Sequence, residues 1–319
     1  MMRRRKFLTT GAAALAALGV RGIRAEEMPQ RFNIGMAATA WLSQNHSEAA
    51  YWRAAEAIAA AGIGATEADN GEAHLDRSYG SAPAAFQSRS RSVGVQLMGV
   101  YQALPLHNPA ALPDMAGRIR SDGHFLKLAG GRYIALGWSV PASADGGLYR
   151  RTQQDLRQAI FVANMLGRIC LENYGIFVAF HAERDIPKEM IVGMLDGTDP
   201  RFVRLCADVG HLTATGLDPV ELVRTYAARL AVSHWKDFAP GLPAPRYLGG
   251  QARGDFVEMG RGVVNFPRLA DLYREIGFDG WVMLELDRTR RPSLAISVQE
   301  MKSYVTDRLK LRLFPAGAA

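Results

Sequence analysis

From about residue 31 the chain repeats one unit eight times: a short apolar, β-rich run, a loop, then a stretch with helical amphipathic spacing. The strand-like runs are Phe32–Ala37, Ala65–Ala68, Val93–Val100, Tyr133–Leu136, Ile176–Phe180, Val203–Asp208, Leu230–His234 and Trp281–Glu285. Helical patterns fall between or after them at Ser47–Ala61, Leu148–Asn173, Asp218–Ala228, Asn265–Ile276 and Ser293–Leu311, with weaker ones at Ala82–Arg91 and Pro109–Arg120. Strands alternating with helices at this count and length predict an α/β fold, the (β/α)8 TIM barrel. A doubly wound open sheet is the rival; no Gly-x-Gly-x-x-Gly follows the first strand, so its dinucleotide-binding version has no support. No Pro- or Ser-rich linker divides the chain, so residues 26–319 are expected to form a single domain. The Gly- and Pro-rich segment Ala239–Gly262 is too long for an ordinary connection and is expected to be an active-site loop.

With 48% hydrophobic and 22% charged residues, the chain can bury a full core and is not disordered. No apolar run of membrane-spanning length lies beyond the first 25 residues, which excludes a multi-span membrane protein. The net charge of +7 is misleading: Arg3, Arg4, Arg5, Lys6, Arg21 and Arg24 supply six positive charges within residues 1–25, leaving about +1 on the rest. A nearly neutral folded part lacks the basic face a nucleic-acid partner needs. Residues 1–25 read instead as a signal peptide, a cationic start followed by the small apolar stretch Thr9–Val20 and a cleavage site at Ile23-Arg24-Ala25. Arg4-Arg5-Lys6-Phe7-Leu8 resembles the twin-arginine signal, implying the twin-arginine export machinery as partner and a periplasmic location. Cys170 and Cys206, both in apolar stretches, read as buried free thiols.

Chemistry-bearing residues gather where predicted strands end, the face on which such barrels keep their active sites. After the fifth strand comes Phe180-His181-Ala182-Glu183, and after the sixth Asp208-Val209-Gly210-His211. His234-Trp235-Lys236-Asp237 follows the seventh and Glu285-Leu286-Asp287 the eighth. Four consecutive strands ending in carboxylates or imidazoles converge on one rim, and this mixed donor set suits one divalent ion such as Mn²⁺, Co²⁺, Zn²⁺ or Mg²⁺. His181 and Glu183 share a face of their strand, and the spacing does not choose between them as ligand. Glu67, ending the second strand, fits either a substrate contact or a barrel salt bridge. Trp41, Tyr101 and Trp138 follow strands one, three and four, where they fit either a sugar-stacking face or packing. His46, His74, His107 and His124 read as surface residues, and Arg288-Thr289-Arg290-Arg291 as a solvated loop.

From about Gly175 to Leu309 these motifs resemble the sugar phosphate isomerase/epimerase group of xylose-isomerase-like TIM barrels, and within it the inosose-dehydratase-like branch. The resemblance rests on Gly-Ile-Phe-Val-Ala-Phe-His (175–181), Thr-Asp-Pro (198–200), Leu-Cys-Ala-Asp-Val-Gly-His-Leu (205–212) and Asp-Pro (218–219). It continues through Ser-His-Trp-Lys-Asp (233–237), Gly-Arg-Gly-Val-Val-Asn-Phe (260–266) and Gly-Phe-Asp-Gly-Trp-Val-Met-Leu-Glu-Leu-Asp (277–287). It implies metal ligands at Asp208, His234 and Glu285, joined by an acidic residue after strand five. There the chain departs from the group's Glu-x-His order, and Glu183 is the preferred ligand with His181 beside it. The resemblance also implies that His211 bonds substrate oxygens and that Lys236 is a substrate-binding cation; Glu67 and Trp41 complete the candidate substrate contacts.

The function expected is an exported, divalent-metal-dependent sugar or cyclitol isomerase or epimerase. It works by proton abstraction beside a carbonyl through a metal-stabilised enediolate, with Glu285 and Glu183 (or His181) as the acid–base pair. On the same site, a keto-sugar or keto-inositol dehydratase or β-eliminating lyase is the alternative. A non-catalytic carbohydrate-binding barrel and an AP-endonuclease-like nuclease are weaker readings, the latter opposed by the neutral charge. Barrels of this group often pair, so a homodimer stays open.

Overall fold

A computed structural model describes residues 28–42, 45–69, 81–140, 150–243 and 253–318. The expected signal peptide and His74 lie outside these residues. Strands β1 (Asn33–Ala37), β2 (Ala65–Asp69), β3 (Gln96–Leu104), β4 (Tyr133–Trp138), β5 (Phe177–His181), β6 (Val203–Asp208) and β7 (Leu230–Trp235) run parallel in chain order. An antiparallel hairpin follows, β8 (Asp237–Pro243) against β9 (Arg253–Val257), before β10 (Trp281–Leu284) closes the barrel between β7 and β1. The expected (β/α)8 fold is thus the observed one.

Between the strands run α1 (Thr39–Leu42), α2 (Glu48–Ala60), α3 (Pro83–Val93), α4 (Leu112–Ala129), α5 (Gln153–Tyr174), α6 (Lys188–Gly197), α7 (Val209–Ala214), α8 (Pro219–Thr225), α9 (Phe266–Glu275) and α10 (Leu294–Ser303). Side-chain oxygens set many of the starts: Ser47 accepts Ala50 N–H ahead of α2, and Thr152 and Asp155 form a reciprocal capping box at α5. That cap is why α5 starts at Gln153 and not at Leu148. α3 continues to Val93 and stops at Gly94, whose φ of 78° is a left-handed conformation, so β3 begins only at Gln96. The pattern expected as one helix to Leu311 ends at Ser303 and continues as a π-turn over Tyr304–Arg308. Four elements went unanticipated, the short helices α1 and α7, α6, and the β8–β9 hairpin, which replaces part of the expected Ala239–Gly262 loop.

The two-residue period of the strands sorts side chains into two cores. Outward positions such as Ile34, Leu97, Ile134, Val178, Leu205, Trp235 and Val282 pack under the helices. Inward positions build layers inside the barrel: Ala65, Met98, Ala135, Ala179, Cys206, Val232 and Met283 fill the middle. One pleat higher the same strands present Glu67, Tyr101, His181, Asp208 and His234, with Glu285 just past β10. The bottom is sealed by the C-terminal tail. Phe314 N–H donates to Ile34 O (2.8 Å), Gly64 N–H donates to Phe314 O (2.8 Å), and the Phe314 ring stands edge-on to Trp281. With the lower end plugged and the middle filled, the open end carrying carboxylates and imidazoles is where chemistry can happen.

Candidate active site

β6 ends in Asp208, which serves the backbone and the site at once. Its Oδ1 accepts His211 N–H at 2.8 Å, capping α7, while its Oδ2 points inward, 3.4 Å from His181 Nε2 and 3.9 Å from His234 Nδ1. From β7, the alternation in Ser-His-Trp-Lys-Asp sends His234 and Lys236 into the barrel and Trp235 outward onto Phe32, Phe266 and Tyr273. His234 Nε2 lies 3.1 Å from Glu67 Oε2, which fixes the ring so that Nδ1 faces Glu285 Oε2 at 2.6 Å and His181 Nε2 at 3.1 Å. One donor atom each from His181, Asp208, His234 and Glu285 lies within 4.8 Å of all the others, and all four residues are buried.

A second shelf of groups faces this quartet. Lys236 Nζ donates to Glu285 Oε1 (2.8 Å) and Asp287 Oδ1 (2.7 Å), stands 3.3 Å from His211 Nε2 and lies over the Phe256 ring of β9. Opposite, Glu183 accepts the Tyr101 hydroxyl at 2.7 Å, with His181 Nδ1 at 2.9 Å and His211 Nδ1 at 3.3 Å from its oxygens. Arg184 N–H donates to His211 Nδ1 at 2.7 Å.

The charges hold one another. Burial opposes the Lys236 ammonium, but Asp208, Asp287 and Glu285 around it push its pKa well above the usual lysine value. Burial likewise opposes ionisation of Glu285, yet Lys236 and His234 keep it well below the carboxylate range, and Asp208 is held down by Lys236 and His211. Glu183 is lowered by His211 and His181 against its own burial. For His211 burial wins, and its pKa is depressed.

The residues present fit a divalent cation. The carboxylates of Glu67, Glu183, Asp208, Glu285 and Asp287 crowd a cluster whose only ammonium among the described residues is Lys236. Asp208 Oδ2 is buried and makes no hydrogen bond, with Lys236 Nζ and His181 Nε2 each 3.4 Å away, an expensive condition for a carboxylate oxygen that a cation would relieve. Borderline donors, two imidazoles and two carboxylates, suit Mn²⁺, Co²⁺, Zn²⁺ or Mg²⁺ without selecting one.

Of the residues expected from sequence, His181, Glu183, Asp208, His211, His234, Lys236, Glu285 and Glu67 all meet here. Glu183 lies beside the four-donor cluster, next to His181, and His181 is inside it. Glu67 makes the barrel ion pair that was one of its two readings. Trp41 sits half-buried on α1 and packs against the apolar core, as does fully buried Trp138. His46 and His107, expected at the surface, are half-buried: His46 Nδ1 meets Asp69 O at 2.7 Å, and His107 accepts Trp138 Nε1–H at 3.3 Å. The arginine run is no freely solvated loop. Arg288 and Arg290 both bind Asp255 on β9, Arg290 N–H donates to Glu258, and Arg291 reaches Glu300, strapping the hairpin across the mouth.

Three participants carried too little signal in the sequence. Tyr101 is one of several strand-end aromatics, Asp287 lies two residues past a strand end beside the more conspicuous Glu285, and Phe256 falls in a Gly- and Pro-rich segment that reads as a loop. Phe256 places its ring 4.7 Å from that of His211 and under Lys236, making it a wall of the site.

Comparison with known proteins finds the same kind of barrel. Residues 55–306 match the family model for the xylose isomerase-like TIM barrel. The chain belongs to that family. Within it, an inosose dehydratase of Geobacillus kaustophilus is 23% identical over 258 residues, spanning 76% of this chain and 84% of that protein. Among solved structures, an L-ribulose 3-epimerase superposes with a TM-score of 0.68 at 12% identity, covering 88% of this chain and 95% of that one. A D-allulose 3-epimerase from Methylomonas sp., in complex with D-allulose, gives 0.68 at 14% identity over 88% and 98%. At these identities the solved structures speak for the fold, which for this xylose isomerase-like barrel is the same closed ring.

Proposed function

We propose that this barrel removes a proton from the carbon beside a carbonyl of a sugar or cyclitol and returns it, giving isomerisation or epimerisation. The observation that carries the reading is the convergence of His181, Asp208, His234 and Glu285, with the buried Asp208 Oδ2 making no hydrogen bond. These four would hold one divalent cation, with Glu183 alongside. When bound, the cation would polarise a substrate carbonyl and favour negative charge on its oxygen. Glu285 is kept ionised by Lys236 and is the base on one wall. Glu183, held by the Tyr101 hydroxyl and with His181 Nδ1 at 2.9 Å, is the partner that handles the proton on the other side. Lys236 and His211 present polar hydrogens to substrate oxygens, and Phe256 keeps water from their back side. The test is solvent-deuterium incorporation into a panel of ketoses and keto-inositols with divalent cation supplied. Exchange in the wild-type protein and none in Glu285→Gln is expected; equal exchange in both removes the assignment.

Elimination of water is the second reading. It is favoured by Lys236, a proton-bearing group 2.8 Å from the base, and by the likeness to inosose dehydratase along most of that protein's length. Loss of the mass of water from a keto-inositol, with growth of an ultraviolet-absorbing product, selects it; mass-neutral exchange selects the first.

We also infer that the chain is exported by the twin-arginine route to the periplasm, on the strength of Arg4-Arg5-Lys6-Phe7-Leu8. Changing both Arg4 and Arg5 to Lys should leave the protein in the cytoplasmic fraction; unchanged export would sink this assignment.

A further inference from the structure

Directly beneath the four-donor cluster lies Cys206. It precedes Asp208 by two residues on β6, so the pleat sends both side chains into the barrel, one layer apart. Register pairs it with His181 on β5, and it is fully buried among Ala179, Val232 and Met283. The Cys206 sulfur and one ring nitrogen each from His181 and His234 lie within 4.8 Å of one another. The unbonded Asp208 Oδ2, on a residue with no exposure, points at the same two imidazoles from above.

His181 and His234 therefore belong to two donor sets at once, one completed by oxygens and one by sulfur. We propose that Cys206 forms, with His181 and His234, a thiophilic cation position at the floor of the site, overlapping the carboxylate-rich position above it. Hard cations such as Mn²⁺ and Mg²⁺ settle on Asp208 and Glu285, whereas soft ones such as Cd²⁺ are drawn down to the sulfur. As the sulfur–cation bond forms, the thiol proton leaves to buffer and the bound form is the thiolate. Because both imidazoles are shared, a soft cation on the floor deprives the upper position of half its donors, so the two compete. This rests on the cation-binding reading of the site proposed above and specifies how the site chooses among cations.

The test uses the full chain and Cd²⁺ as probe, reading the ultraviolet thiolate-to-cadmium charge-transfer band, with Mn²⁺ binding followed by electron paramagnetic resonance in parallel samples. The chain has two cysteines, so in Cys170→Ser any such band comes from Cys206. The expected result is a band at one equivalent in wild type and Cys170→Ser, with Cd²⁺ displacing bound Mn²⁺. In Cys206→Ser and Cys206→Ala the band disappears and Cd²⁺ affinity falls at least about tenfold, while Mn²⁺ affinity moves less than about threefold. If neither Cys206 variant folds, the band in Cys170→Ser decides alone. Mn²⁺ binding without a band in Cys170→Ser overturns the sulfur position and leaves the upper one standing. A band that survives in folded Cys206→Ser overturns it equally. Absence of binding by both ions overturns both readings.

Discussion

At the scale of single residues, the site is a set of strand ends whose side chains have no other purpose as good. Glu285 is buried and kept ionised by Lys236 and His234, which stand 2.8 and 2.6 Å from its two oxygens. Replacing it by Gln keeps the volume and removes the proposed base, so kcat should fall about 10²–10⁴-fold with KM within a few-fold, as steady-state kinetics would measure. Glu67 acts through another residue: its carboxylate turns the His234 ring so that Nδ1 faces the cluster. Glu67→Gln should weaken divalent-cation affinity about 10–100-fold in calorimetric titration, with the fold intact by circular dichroism. Most of these residues were legible because an apolar strand that stops abruptly at a carboxylate or imidazole is conspicuous in sequence. The relation of His181 to Glu183 was not legible. Two residues on one strand face differ only in height along the barrel axis, and height is fixed by where the strand ends relative to its neighbours.

At the scale of elements, what sequence missed has identifiable causes. α6 contains Gly193 and starts after Pro187 without a side-chain cap, so it lacks the usual start signal and reads as a loop. Gly193 is there for packing: a Cβ would come within 2.6 Å of Leu156 on α5. The β8–β9 hairpin is hidden because its organiser is a single buried carboxylate. Asp237 accepts N–H bonds from Phe238, Gly260, Gly262 and Val264, gathering both ends of the excursion onto one side chain. Asp237→Ala orphans those donors and should cost about 2–4 kcal/mol in denaturant unfolding. It should also raise KM as Phe256 loses its seat. A pH effect is expected at α2. Glu48 accepts Trp52 Nε1–H and Ser81 N–H, both at 2.9 Å. Burial works against its charge, yet bonds from Ser81 and Trp52 hold its pKa below the ordinary value. A depressed carboxylate stabilises the fold fully above its unfolded pKa and loses that contribution as pH falls through the folded one. Glu48→Gln should therefore cost about 1 kcal/mol at neutral pH, and the gap to wild type should close in acid, as thermal unfolding at both pH values would reveal.

At the scale of the whole molecule, eight alternating units announce a barrel because each supplies one parallel strand and the helix that covers it, and eight such strands close into a ring. The seal at its bottom was not announced, since nothing in Phe314-Pro315-Ala316-Gly317 says which strand ends it will meet. Gly64 records that contact: a Cβ there would stand 2.0 Å from Pro315 O. Gly64→Ala should displace the tail at a cost of about 1–3 kcal/mol, visible as a lowered Tm and faster proteolysis of the C-terminus. At the open end a bound cation would offset the charge of so many acids gathered beside one lysine. The most direct measurement is elemental analysis of residues 26–319 purified without chelator, beside Asp208→Asn. About one divalent ion per chain, lost in the variant, is the result expected. A chain that holds no ion even after Mn²⁺, Co²⁺ or Zn²⁺ is added would contradict the account.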